Sequence, residues 1–400
     1  MKKILHLLFN IDHFLIALTS LLFTAVLFYL FSFNIGFLNP VRRAFADFSM
    51  SDVYYNIIWQ GNEPLQSDQI TLVNIDTLYQ RRDIAKVIEE IDSYLPSVVG
   101  IDILFDGNKS DQQGDSILSE AMQKNFENKV ISYKLMDYNS KAGSFDRSLH
   151  SYFLEDTPFI QEGYTNVLYS EARTTLRMLT VFRKENGEPT YSFPAQIYNK
   201  FKNNYEEIDT TTLNDRLINF PTVKFPIVHF DSLAQHPELL KDRIVLLGST
   251  TEEADMHYTP IGYISGLEVQ AYALNSLIDQ QNIHIMDNLT VWILAFVASY
   301  VTELLQFFIL RWLNRRRGPL AMFLYGSVAF IRLVTFSWLG VIAYLAFITY
   351  ITQNIFVSTT AILVAAILTS EARGVYSSFL RHVLNKHNIP LFKNSLYINK

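Results

Sequence analysis

Three aspartates stand where short apolar runs end or nearly end. Asp76 follows the run 70–75 (ITLVNI), and Asp102 and Asp106 lie within and just after 98–105 (VVGIDILF). Carboxylates at the carboxyl ends of parallel strands face the crevice in which open α/β sheets bind ligands, so Asp76 and Asp106 can share a site. They would serve there as ligand contacts or as an acid/base pair. Asp102 alternates with Ile101 and Ile103 and is also compatible with pointing into a helix layer. The commoner use of Asp at such positions is to cap a helix or turn. The segment from Asp106 begins like a calcium loop, but its sixth position is Asp111 where glycine is needed and its twelfth is Ile117 where glutamate is needed. It reads as a polar loop. Leu246-Leu-Gly-Ser-Thr250 offers a glycine and two hydroxyls to an anion without a P-loop or dinucleotide glycine pattern, and a strand-ending turn is the simpler reading. His150, His229, His236, His257 and His284 have no metal-ligand spacing, and no G-x-S-x-G elbow occurs, so neither a cofactor nor catalysis is implied.

Glu303 is a different kind of candidate, because it interrupts an apolar run. An ionisable group at mid-membrane costs roughly 2.5–3.5 kcal/mol on insertion scales unless it is partnered. Arg332 is the expected partner, provided the third span begins near Leu320. A purely structural hydrogen bond is the alternative.

The elements that must position these residues follow from patterning. Between the first two apolar runs, 83–95 has helical spacing at Ile84, Val87, Ile88 and Ile91, which makes a strand–helix–strand unit. Further strands are expected at 129–133, 216–220 and 243–247, with helices at 193–201 and 266–278. The fold class is therefore α/β, an extracytoplasmic domain with a largely parallel sheet over 36–288, joined to an α-helical membrane region of four spans.

Residues 14–33 are twenty residues without a charge, long enough to cross about 30 Å of hydrocarbon. The nearest A-x-A pattern lies about ten residues beyond, at Ala44–Ala46 behind Arg42-Arg43, which favours an uncleaved anchor over a signal peptide. Further spans are expected at 289–310, 333–350 and 355–370, with 1–13 and a basic tail, 371–400, in the cytoplasm. Lys2-Lys3, the Arg311 to Arg317 cluster and the tail bases Arg373, Arg381, Lys386 and Lys393 then share one side, which the positive-inside rule makes the cytoplasm of a bacterial inner membrane. The 400 residues carry a net charge of -6, which hides -15 on 36–288. Such an acidic exterior suits no nucleic-acid partner. The chain has no cysteine, which excludes disulfides, thiolate nucleophiles and iron–sulfur clusters.

Several segments resemble a known pattern. They are Leu72 to Asp76, Val98 to Phe105, Ile218-Asn-Phe-Pro221, Ala46-Asp47, and above all Lys241 to Gly248 followed by Asp255, Thr259-Pro260 and Gly266-Leu-Glu-Val-Gln-Ala271. Over roughly 40–285 they resemble the second CHASE-type family of extracytoplasmic sensory domains, found in front of bacterial histidine kinases and nucleotide cyclases. The resemblance implies a sensor followed by three membrane helices, with Asp76, Asp106, Asp255 and Thr259 lining an input crevice. Asn74 stands where the family commonly has a second Asp. About 30 residues follow Ser370, so the expected form is a stand-alone sensor, not an enzyme, without a kinase or cyclase of its own. Its expected partners are the lipid bilayer, a small ligand or envelope protein outside, and a cytoplasmic protein reached through Arg315–Arg317 and the 371–400 tail. A homodimer is suggested by analogy with such sensors. The rival readings are an envelope structural or assembly protein whose external domain docks another component, and an envelope enzyme using Asp76 and Asp106.

Overall fold

The computed structural model describes residues 7–32, 49–107, 111–155, 157–166, 175–203, 215–279, 283–316, 318–382 and 395–396. Lys2, Lys3, Arg42 to Asp47, the 108–110 part of the polar loop, Arg317, Lys386 and Lys393 lie outside them. The chain divides into two units, Asp52–His284, and Met1–Ser51 with Ile285–Lys400.

In chain order the main elements are α1 (Ile11–Ser32), α2 (Met50–Gly61), β1 (Ile70–Asn74), α3 (Arg81–Ser93), β2 (Val98–Ile101), α4 (Gln112–Gln123), β3 (Lys129–Asn139), β4 (Ser144–Leu149), β5 (Gln161–Tyr164), β6 (Phe182–Glu185) and β7 (Glu188–Tyr191). They continue with α5 (Phe193–Lys202), β8 (Ile227–His229), β9 (Ile244–Gly248), β10 (Met256–Thr259), β11 (Gly262–Ser265), α6 (Gly266–Ile278), α7 (Asn288–Arg315), α8 (Pro319–Gly326), α9 (Val328–Gln353) and α10 (Thr359–His382).

Strands β1 to β9 form one sheet in the order β8-β1-β9-β2-β3-β4-β6-β7, with β5 also paired to β3. It is mixed. From β8 to β3, and at β5, the pairs are parallel, while β3–β4 and β6–β7 are antiparallel. The antiparallel wing arises because β3 runs on for 11 residues and turns back at once into β4, which a tight connection permits only in antiparallel pairing. The expectation of a largely parallel sheet thus describes its centre, whereas in the wing only β4–β6 is parallel, through a single residue pair.

Central strands are covered on both faces, and all five residues of β9 and the first four of β1 are buried, Thr71 being the one polar side chain among them. Val73, Val99, Ile101, Ile131, Val245 and Leu247 face a core made with Ile84, Val87, Ile88 and Ile91 of α3 and Leu118 and Met122 of α4. On the other face α5 lies so close at Gly100 that a Cβ there would stand 2.5 Å from Ile197 Cδ1. Lys129 is held by Asp92 at 2.7 Å with both side chains almost fully buried. Burial pushes the Asp92 pKa up and that of Lys129 down, so the pair fixes geometry more than it adds stability.

In the other unit, α1, α7 and α9 are long and apolar enough to cross a membrane. The expected fourth span, 355–370, becomes the first half of α10, whose second half carries Glu371, Arg373 and Arg381. Ala295, Ala298, Ala365 and Ala366 are buried where α7 meets α10, as small residues let helix backbones approach closely. Ser20 Oγ donates to the Ala365 carbonyl at 2.6 Å, tying α1 to α10.

Candidate functional site

Parallel pairing in register brings three chain segments to one edge of the sheet. β9 lies between β1 and β2, with Gly248 opposite Asn74 and Leu247 opposite Ile101. Asp76, Asp102 and residues 249–251 therefore emerge together at the carboxyl ends, where open α/β sheets bind ligands.

Asp76 is occupied by its neighbours. Its carboxylate accepts from the backbone N–H groups of Thr250 (3.0 Å) and Thr251 (3.3 Å), from the Thr251 hydroxyl (2.6 Å) and from the Ser249 hydroxyl. Burial pulls its pKa up, but the hydrogen bonds from Ser249, Thr251 and Asn74 outweigh that and hold it at about 2. The carboxylate staples the turn after β9 to the end of β1.

Asp102 has a different setting. Its backbone N–H donates to Leu247 O at 2.8 Å, which aims the side chain past the end of β9. Burial, and then the nearby charge of Asp255, push its pKa up to about 7, against opposing effects of Ser132, Lys134 and His257. Asp255 reaches it from the turn before the β10–β11 hairpin. That hairpin feeds directly into α6 through a capping box, in which Ser265 Oγ accepts from Glu268 N–H (3.2 Å) and Ser265 N–H donates to Glu268 Oε2 (3.0 Å). A Cβ on Gly266 would stand 2.2 Å from Asp255 Oδ2, so only glycine lets the carboxylate rest on the first turn of α6. The helix dipole favours an anion there. His257 Nε2 lies 3.5 Å from Asp255 Oδ1.

The structure thus brings Asp102 and Asp255 together and sets His257, Ser132 and Lys134 beside them, three residues that motif spacing does not point to. Alternation was the available signal for Ser132 and Lys134, an i, i+2 pair on one face of β3, whereas Asp255 precedes its strand and carried no such signal. Asp106 is exposed and stands apart, held through its backbone carbonyl by Arg81 (3.0 Å). Thr259 is buried and donates to Gly262 O at 2.8 Å, closing the hairpin turn. Among the described residues, no group of three or more His, Asp or Glu could hold a metal ion.

The membrane unit has its own polar cluster. Glu303 is fully buried and accepts from Arg373 Nε at 2.7 Å, with His13 Nδ1 3.2 Å away. Arg373 Nη2 also donates to Gln306 Oε1 (2.7 Å), and Gln306 Nε2 to Thr335 Oγ1 (2.8 Å). One network therefore joins α1, α7, α9 and α10. Arg332, the expected partner of Glu303, is exposed instead. The correction follows from helix periodicity, because α10 does not stop where its apolar run ends. Continuing, it puts Arg373 beside the buried stripe of Ala365, Thr369, Ala372 and Tyr376.

A family model, the CHASE2 domain, matches residues 21–309, well over half of the chain. The chain belongs to the CHASE2 family. CHASE2 domains are extracytoplasmic sensory domains, and among the described residues this one comes with three helices able to cross a membrane. The chain matches no curated protein and no solved structure. Asp76, Asp102, Asp255, His257 and Glu303 all lie within the CHASE2 match, whereas His13 and Arg373, which hold Glu303, lie outside it.

Proposed function

We propose that this CHASE2 protein is an inner-membrane receptor whose periplasmic domain takes up a small solute at Asp102 and Asp255 and passes its occupancy to a bundle of four spans. The observation that carries the reading is the carboxyl pair at the ends of the strands, one member of which has a pKa near neutrality through burial and like charge. Two carboxyls beside one lysine suit a solute bearing a positive charge or several hydrogen-bond donors. A cation bound there would displace the proton from Asp102.

The fourth span in this reading is α10, which brings Arg311, Arg315 and Arg381 to the cytoplasmic side. His13, Glu303 and Arg373 then lie at similar depth near that side. Their network is the element on which external binding would act, and it shifts only if the solute binds two arrangements with different affinity. The arginines at the ends of α7 and α10 would meet a cytoplasmic partner.

The test uses the full chain in nanodiscs, melted with and without spermidine or Mg2+ at pH 7 and monitored for proton release. Stabilisation with proton release in the native chain, lost in Asp102→Asn, supports the reading. A flat response to both probes, with stable co-purification of another envelope protein, favours a docking role instead.

A further inference from the structure

The β6–β7 hairpin joins the edge of the sheet through a few ties, among them Asn186 N–H donating to Phe145 O (2.9 Å) and Gly187 N–H donating to Ser144 Oγ (3.0 Å). β6 meets β4 through one residue pair, Phe145 opposite Glu185, whereas β4 meets β3 through five. Side chains supplement that single pair. The Tyr133 hydroxyl donates to Glu185 Oε2 at 3.1 Å and lies 2.6 Å from Thr190 Oγ1, and the Ser148 hydroxyl donates to Glu185 Oε1.

His150 stands behind this contact. Its ring stacks on Tyr133 with centroids 4.8 Å apart, Nδ1 lies 2.9 and 3.0 Å from the two Glu162 oxygens, and Nε2 lies 2.7 Å from Ser148 Oγ. Ser148 has one proton, and the bond to Glu185 uses it, so toward His150 the hydroxyl acts as acceptor. Glu162, ionised, accepts only. Both ring nitrogens must therefore donate, which an imidazole does only as the imidazolium.

We infer that His150 is a proton-binding site whose occupancy latches the β6–β7 hairpin onto the sheet. The groups facing it are Tyr133 of β3, Ser148 of β4, Glu162 of β5, and Glu185 of β6, whose nearest oxygen is 3.9 Å from Nε2. The hydrogen bond and charge of Glu162 raise the pKa of His150 above its ordinary value, with burial opposing and Glu185 assisting. Because the folded pKa is raised, the added stability is full below the ordinary histidine pKa and is lost as pH rises through the folded value. On losing the proton, Nε2 becomes an acceptor and draws the Ser148 hydroxyl away from Glu185, leaving Glu185 to the Tyr133 hydroxyl alone and loosening one of the ties that hold the hairpin. The inference rests on the sensory reading for its meaning, since it names the proton as an input to the same domain. Its chemistry is independent of the Asp102 crevice.

Hydrogen exchange of the 182–191 amides in the full chain, in nanodiscs at pH 6 and pH 8 and corrected for the intrinsic pH dependence, tests the latch. Protection should be roughly threefold higher at pH 6, the scale separating a charge-assisted from a neutral hydrogen bond at a partly exposed site. His150→Gln should abolish the difference, and Glu162→Gln should move its midpoint to lower pH. A hairpin whose protection ignores pH, or one that keeps its dependence in His150→Gln, overturns the inference. A pH-linked hairpin that leaves the α7 and α10 amides unchanged upholds the proton site and counts against the sensory role instead.

Discussion

Replacing Asp102 by Asn removes a titratable proton and almost no volume, so it isolates the energetics of the carboxyl pair. The fold raises the Asp102 pKa from 3.8 to about 7, first through burial and then through the charge of Asp255. The folded state therefore binds this proton more tightly than the unfolded chain does. Asp102 costs nothing below about pH 4, and the penalty grows as pH climbs toward 7. About three pKa units at roughly 1.36 kcal/mol each put the full penalty at about 4 kcal/mol above pH 7. Asparagine has no charge to desolvate. Asp102→Asn should lie within about 1 kcal/mol of the native chain near pH 4.5 and exceed its stability by up to about 4 kcal/mol at pH 8. For a domain of this size, that corresponds to a gain on the order of 8–16 °C in Tm. Melting the full chain in nanodiscs at pH 4.5, 6.5 and 8 reads the effect. A Tm difference that does not change with pH, or a variant less stable at pH 8, would refute the claim that Asp102 is held protonated by burial and like charge.

The other expectations concern the neighbours of this site and the membrane network. Asp76, with its pKa held at about 2, contributes stability above pH 4 that is lost as pH falls toward 2, so Asp76→Ala should cost about 2 kcal/mol at pH 7 and little at pH 2 in the same melts. Gly266→Ala forces the Asp255 carboxylate off α6 and should lower the apparent pKa of Asp102, read by NMR of the side-chain carboxyl, with at most about 1 kcal/mol change in stability. Glu303→Gln leaves Arg373 without its buried counter-charge and should destabilise the helix bundle by about 3–5 kcal/mol, measured by detergent unfolding. Arg332→Gln, at an exposed position, should leave the bundle unchanged, and equal effects of the two variants would sink the pairing of Glu303 with Arg373.

Local periodicity made much of the fold legible. The helix expected at 266–278 has those bounds, and α3, α5 and the central strands fall within a few residues of expectation because buried faces impose their period on the sequence. The antiparallel wing was less visible, since β4, β6 and β7 are short and partly exposed and carry no continuous apolar run. In the site, Asp76 and Asp102 look alike as strand-end aspartates. Their surroundings separate them, for one accepts hydrogen bonds from an adjacent turn while the other is buried and lies within the electrostatic reach of Asp255. Thr259 and Asp106 match a pattern of residue types, yet their side chains serve a turn or face solvent.

The sequence by itself determined the division into an acidic exterior and apolar helices, the strand–helix alternation and the family, because hydropathy, charge and local period are properties of consecutive residues. Only the tertiary structure decided that Glu303 meets Arg373 and His13 rather than Arg332, that Asp102 answers to Asp255, and that His150 lies between Glu162 and Ser148. Each of these depends on the register and packing of elements far apart in the chain, where a shift of one residue turns a side chain to the other face.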